Sequence, residues 1–219
     1  MFRSFVMTAA LSILSVACCS AAEFGVLGGY GAAAASMTAT AGGTSANAGF
    51  QNGPGVGALV GDNFRKSKIF GGEVRYLLLF DSLKVSQGGT QATLSGRSHL
   101  FHYDVLLHAR PPRSPVRPFL AVGGGARFVE GTGAQQAYQP LSQYALLTQT
   151  HEFVPLISAG GGVKFKLSPR INLRAEIRDY ISPHLSNVIT ASPGANLHGW
   201  IHEIVSLAAL TYTFGGPRP

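Results

Sequence analysis

The stretch Phe101-His102-Tyr103-Asp104-Val105-Leu106-Leu107-His108-Ala109-Arg110 alternates in character at nearly every step. Successive side chains of a β-strand point to opposite faces. Phe101, Tyr103, Val105, Leu107 and Ala109 therefore share one face, and His102, Asp104, His108 and Arg110 share the other with Leu106. The same parity recurs elsewhere. Val74, Tyr76, Leu78 and Phe80 oppose Glu73 and Arg75; Ile157, Ala159, Val163, Phe165 and Leu167 oppose Ser158, Lys164 and Lys166; Leu173, Ala175, Ile177 and Ile181 oppose Arg174, Glu176 and Arg178.

Outward from this stretch, eight β-prone segments are predicted, near 23–31, 53–64, 69–81, 98–110, 118–130, 155–167, 171–182 and 200–214. Most are close to the 9 to 11 residues that a tilted strand needs to cross a bilayer. The gaps alternate. Those at 32–52, 82–97, 131–154 and 183–199 are long, while 65–68, 111–117 and 168–170 are short, the rhythm of a barrel with tight turns at one end and loops at the other. The expected fold is all-β: an eight-stranded antiparallel up-and-down transmembrane β-barrel. Which face points inward separates a membrane barrel from a soluble one. Eight strands enclose room for side chains only, and Phe101, Tyr103, Tyr76, Phe80 and Phe165 would overcrowd that space. Gly71, Gly123, Gly125, Gly160 and Gly162 lie on the polar face, where they make room for long charged chains. The polar face is therefore expected inside and the apolar face in lipid.

The first residues fit export. Arg3 supplies a positive start, Phe5 to Ala17 an apolar core, and Ser20-Ala21-Ala22 a small-residue cleavage site. Residues 1–22 are read as a secretory signal peptide and 23–219 as the barrel domain. Acylation at Cys18, after Leu14-Ser15-Val16-Ala17, is the alternative. Both cysteines, Cys18 and Cys19, fall in this segment, so no disulfide framework or cysteine metal site is expected beyond it. The chain's 28 glycines and 12% charged residues suit β structure, and 46% hydrophobic residues argue against disorder. Its formal charge of +7 comes from basic residues scattered among apolar strands, not from a nucleic-acid-binding patch.

Gly160-Gly161-Gly162-Val163-Lys164-Phe165-Lys166-Leu167-Ser168-Pro169-Arg170-Ile171-Asn172-Leu173-Arg174-Ala175-Glu176-Ile177-Arg178-Asp179-Tyr180 resembles the late hairpin of OmpA-like outer-membrane β-barrel proteins: a glycine-rich strand, a Ser/Thr-Pro turn, then apolar residues alternating with Arg and Glu. Leu210-Thr211-Tyr212-Thr213-Phe214 resembles that family's closing strand. The likeness implies a bacterial outer-membrane location, contact with outer-membrane lipid and reading of the aromatic end by the barrel-assembly machinery, although Gly215 to Pro219 follow the aromatic here. A monomer is expected.

Glu73, Arg75, His102, Asp104, His108, Arg110, Arg127, Lys164, Lys166, Arg174, Glu176, Arg178 and Glu203 are expected in the lumen. Charges inside a narrow barrel must be paired, which makes a structural plug; the basic surplus favours a narrow, weakly anion-preferring pore as the alternative. Trp200, Tyr180 and Tyr103 are read as interfacial aromatics. His184-Leu185-Ser186-Asn187 resembles the His-x-Ser-Asn of outer-membrane lipid A deacylases, which implies Ser186 as nucleophile and His184 as base. The acid that family supplies about a dozen residues later is His198 here. Glu203 is the nearest substitute. His198 and His202, four apart in a strand, would stand about 13 Å from each other, too far to share a metal. No nucleotide or haem motif is present and no cofactor is expected. The expected protein is a non-enzymatic barrel with no assigned catalytic residue, acting structurally or through surface loops that bind a ligand the sequence does not name.

Overall fold

The computed structural model describes residues 22–214 apart from 65, 66 and 68. The expected signal peptide with Cys18 and Cys19, most of the first short turn, and the tail after Phe214 lie outside the described residues. The strands in chain order are β1 (Glu23–Ala35), β2 (Met37–Ala41), β3 (Thr44–Phe50), β4 (Gly53–Asn63), β5 (Phe70–Leu79), β6 (Leu83–Gln87), β7 (Thr90–Leu94), β8 (Gly96–His108), β9 (Val116–Gly131), β10 (Ala145–Leu147), β11 (His151–Lys166), β12 (Ile171–Pro183), β13 (Ile189–Ala191), β14 (Asn196–His198) and β15 (Trp200–Thr213). Eight of them close a barrel in the order β1-β15-β12-β11-β9-β8-β5-β4, matching the eight expected strands. Closure comes from β1 pairing with β15, in register from Glu23 opposite Thr213. It leaves no barrel strand with an unpaired edge, the condition for crossing lipid without helices.

Alternation sorts the two faces as expected. Along β8, Phe101, Tyr103, Val105 and Leu107 are 52%, 46%, 38% and 43% exposed, whereas His102, Asp104, Leu106 and His108 are at most 2% exposed. Outward aromatics collect near both ends of the barrel: Phe24, Phe70 and Tyr212 near the short turns, Phe80, Phe153 and Trp200 near the long loops. Such girdles sit where a barrel wall meets the two membrane interfaces. Tyr103 and Trp200 face outward, Trp200 near the long loops and Tyr103 midway along β8, away from the interface expected for it, but Tyr180 does not face outward. It shares the parity of Arg178, is fully buried in the lumen, and packs edge-on against His102 with ring centroids 5.3 Å apart. Strand parity outranks the aromatic preference for an interface.

Cross-strand register explains the glycines. Gly123 lies opposite Asp104 and Gly125 opposite His102, while Gly160 lies opposite Arg178 and Gly162 opposite Glu176. A Cβ at Gly160 would come within 2.8 Å of Arg178 Cδ, and one at Gly162 within 2.9 Å of Glu176 Cγ. The bare backbone at these sites is what admits the long side chains to the lumen. That lumen is not uniformly polar. Leu27, Leu59, Leu77, Leu79, Leu100, Leu156 and Leu207 point into it and form a buried cluster beside the charges.

The long loops are themselves folded, which the sequence reading did not anticipate. The sheet β14-β2-β3-β6-β7 joins the first, second and last long loops, and β10 with β13 joins the third to the last. Two hairpins turn on glycine pairs in the left-handed region, Gly42-Gly43 at φ 55° and 79° and Gly88-Gly89 at φ 54° and 87°. That conformation suits the right-handed twist of the flanking strands. Met37, Phe50, Leu83, Val85, Leu147 and Ile189, with others, make an apolar core in this cap, and Val129, Val154 and Ile201 join it from the barrel's upper rim. Beside the two hairpin turns the Tyr144 hydroxyl meets Thr44 Oγ1 at 2.6 Å and accepts from Gln87 Nε2 at 2.6 Å, so one side chain ties three loops together.

Candidate functional site

The lumenal side chains form three charged layers. In the middle one, three arginines of β5 and β12 meet three carboxylates of β5, β8 and β12. Arg178 reaches Glu73 Oε1 at 2.9 Å, Asp104 Oδ2 at 2.9 Å and Glu176 Oε2 at 3.0 Å. Arg75 bridges Glu73 at 2.7 Å and Glu176 at 2.9 Å. Arg174 spans the same two acids at 2.9 and 2.8 Å. His102 Nδ1 lies 3.1 Å from Asp104 Oδ1. Nearly all of these groups are fully buried. Removal from water costs several kcal/mol per ion, so the pairing is what lets them stay charged, and the neighbouring leucines lower the local dielectric and strengthen it.

Toward the long loops, Arg127 of β9 pairs with Glu203 of β15 and with Asp81 Oδ2 at 3.2 Å. Ser98 donates to the same Asp81 oxygen at 2.7 Å, and the guanidinium lies 4.3 Å from the centroid of the Phe50 ring in the cap. Asp81 belongs to the connection between β5 and β6. Burial and the nearby Glu203 carboxylate push its carboxyl up to about 8, against the opposing pull of Arg127. Toward the short turns, Lys164 pairs with Glu23 at 2.6 Å and Thr211 donates to that same carboxylate.

Of the residues expected in the lumen, Glu73, Arg75, His102, Asp104, His108, Arg127, Lys164, Arg174, Glu176, Arg178 and Glu203 are buried there. Arg110 and Lys166 are not. Arg110 follows the end of β8, Lys166 is the last residue of β11, and both are exposed. At a strand end a long cation can turn its head to water, so parity no longer decides where it points. Asp81, Ser98, Glu23 and Arg117 are also buried, as are Ser158, Ser182 and Thr211; the first four are absent from the set the sequence predicts. Glu23 and Ser98 share the parity of the inward residues of their strands; Asp81 lies past the end of β5 and carries no such signal. Among the described residues the buried lumenal cations Arg75, Arg117, Arg127, Lys164, Arg174 and Arg178 lie among the carboxyl groups of Glu23, Glu73, Asp81, Asp104, Glu176 and Glu203, and Glu152 of β11 is a further buried acid, engaged with the last long loop.

The His184–Ser186 segment lies just past β12 in the last long loop. Ser186 Oγ donates to Glu152 Oε1 at 3.0 Å, and the same carboxylate accepts the backbone N–H groups of Ser186 at 2.8 Å, Asn187 at 2.8 Å and Val188 at 3.3 Å. Glu152 thus holds the loop by its backbone. Glu203, the acid considered for a triad, is engaged with Arg127 in the lumen instead. His202 pairs with Asp179 at 2.9 Å, and no group of three or more metal-ligating side chains occurs among the described residues.

Residues 6–197 match the family model described as outer membrane protein beta-barrel domain. The chain belongs to this family. As an outer membrane β-barrel protein it is placed in the bacterial outer membrane, with its short turns on the periplasmic side and its loop-built cap outside. Solved structures agree on the fold. The outer membrane protein OprG of Pseudomonas aeruginosa is 13% identical with a TM-score of 0.56, over 90% of this chain and 97% of that one. Neisserial surface protein A is 12% identical with a TM-score of 0.51, over 87% and 97% respectively. A comparison with curated protein sequences found no match.

Proposed function

We propose that this outer membrane β-barrel protein conducts no solute and catalyses no reaction, and that it works through the folded extracellular surface built by its four long loops. The observation that carries this reading is a double obstruction of the lumen. Three arginines and three carboxylates interlock across the middle of the barrel, and a cap with its own apolar core covers the outer mouth. Ion pairing of Arg75, Arg127, Lys164, Arg174 and Arg178 with buried carboxylates counters the basic bias that an anion-preferring pore needs. Loops that only connected strands would have no use for a shared core, whereas a recognition surface gains affinity from being ordered beforehand. The cap also presents a polar cavity of about 510 Å³ lined by Asn47, Gln51, Asn52, Lys84 and Ser86, suited to a hydroxyl-rich ligand. Catalysis at Ser186 forms no part of this reading, because its hydroxyl is spent on anchoring the loop to Glu152. Purified protein reconstituted in planar bilayers is expected to give no discrete conductance steps; reproducible anion-selective steps would overturn the proposal.

A further inference from the structure

The basic residues are not scattered among the strands as the sequence suggests: the positive surplus sits at one end of the barrel. Among the described residues, Arg110, Arg113, Arg117, Lys164, Lys166 and Arg170 lie in or beside the short turns, with only Glu23 and Asp62 as acids there. The β4–β5 connection adds Arg65, Lys66 and Lys68 in sequence. At the opposite end Lys84 and Arg97 face Glu130, Glu152 and Asp179. The periplasmic mouth is therefore strongly basic while the rest of the protein is close to neutral.

This mouth contains a cavity of about 200 Å³ lined by Glu23, Arg113, Arg117, Lys164, Lys166 and Asn172, among others. Its inner cations are fixed in place. Lys164 is buried and holds Glu23 at 2.6 Å; Arg117, also buried, donates from Nε to the Arg110 carbonyl at 2.8 Å and from Nη1 to Asn63 at 2.9 Å. Arg113 and Lys166 are exposed at the rim. The one carboxylate in the wall is already taken by Lys164 and Thr211. Four cations line this small volume with one acid in its wall, a surplus of positive charge that a compact anion would offset.

We propose that the periplasmic mouth is a binding site for a phosphate group, supplied either by a soluble phosphate compound or by the headgroup of an anionic phospholipid in the facing leaflet. The experiment uses the full mature barrel in detergent and in nanodiscs, with Arg113→Gln/Lys166→Gln as the test variant, because both side chains are exposed and neither supports the lumen. Lys84→Gln/Arg97→Gln, which removes two cations at the other end, is the control. In detergent, inorganic phosphate titrated at constant ionic strength should broaden its phosphorus resonance with wild type and control, and bind about tenfold more weakly to the test variant, the scale of losing charged hydrogen bonds. In nanodiscs of mixed phosphatidylglycerol and phosphatidylcholine, native mass spectrometry counts retained lipid. Preferential retention of phosphatidylglycerol that disappears in the test variant identifies the headgroup as the source; phosphate binding without lipid preference identifies a soluble source. Equal behaviour of wild type and test variant in both arms would overturn the proposal, as would an equal loss in the control.

Discussion

Arg178 on β12 and Asp104 on β8, 74 residues apart in sequence, meet across the lumen at 2.9 Å. The contact joins opposite walls of the barrel, and the same guanidinium holds two glutamates as well. Arg178→Ala should therefore leave three buried carboxylates short of a partner and cost about 3 to 5 kcal/mol. Arg170→Ala, at an exposed turn, should change stability by less than about 0.5 kcal/mol. Urea unfolding followed by the gel mobility of unboiled samples measures both. Similar values for the two variants would show that the network contributes little.

The facing of the strands predicts a second contrast. Val105→Arg should destabilise the barrel by about 2 to 4 kcal/mol if this residue lies near the bilayer midplane, whereas arginine at Leu106 enters a lumen that already holds charges. Dyes on single cysteines at Phe101, Tyr103 and Val105 should be quenched by lipid-borne quenchers, and those at His102, Asp104 and Leu106 should not. The reverse pattern would turn the barrel inside out.

Glu152 should matter to the last loop and not to chemistry. Glu152→Ala strands three backbone N–H groups and is expected to cost the cap about 1 to 3 kcal/mol, seen as faster hydrogen exchange at Ser186, Asn187 and Val188. Ser186→Ala and His184→Ala should leave the lipid A of an expressing strain as it is with wild type. Deacylated lipid A that appears with wild type and vanishes in these variants would establish the hydrolase alternative.

Asp81 gives the cap an unusual pH response. Its carboxyl is raised to about 8 in the folded protein from an ordinary 3.8, so between those values the folded state binds the extra proton. Stability from this group is full below about pH 4 and is lost as pH rises through 8. Cap protection measured by hydrogen exchange should fall from acid to alkaline pH. Asp81→Asn, which keeps an acceptor for Ser98 and Arg127, should flatten that dependence. A wild-type profile that rises toward pH 8 would contradict the assignment.

The barrel was legible in the sequence because a two-residue period written into Phe101–Arg110 and Leu173–Arg178 admits one sorting of faces, and because loop lengths alternate. The lumenal ion pairs were legible as a set but not as partners, since Arg178 and Asp104 are joined only by closure and register. Leu77 and Leu79 have the parity of Glu73 and Arg75, but a leucine carries no chemical signal of a lumenal place. The cap was missed although its hairpins carry a local signal: Gly42-Gly43 and Gly88-Gly89, each followed by a threonine, mark two-residue turns. The short, small-residue strands around them, such as Met37–Ala41, lack the bulky alternation that announces a membrane-crossing strand.

The pairing of β14 with β2 places His198 opposite Thr38, and these residues come from the last and first long loops. No earlier part of the chain can supply that partner, so the outer sheet is complete only when the last long loop lies beside the first. The cap is in this sense a clasp that joins the two ends of the barrel's strand sequence. A half-inserted molecule would display loose hairpins to the outside, and an antibody that recognises the joined β14–β2 edge would count completed barrels on living cells without touching the membrane.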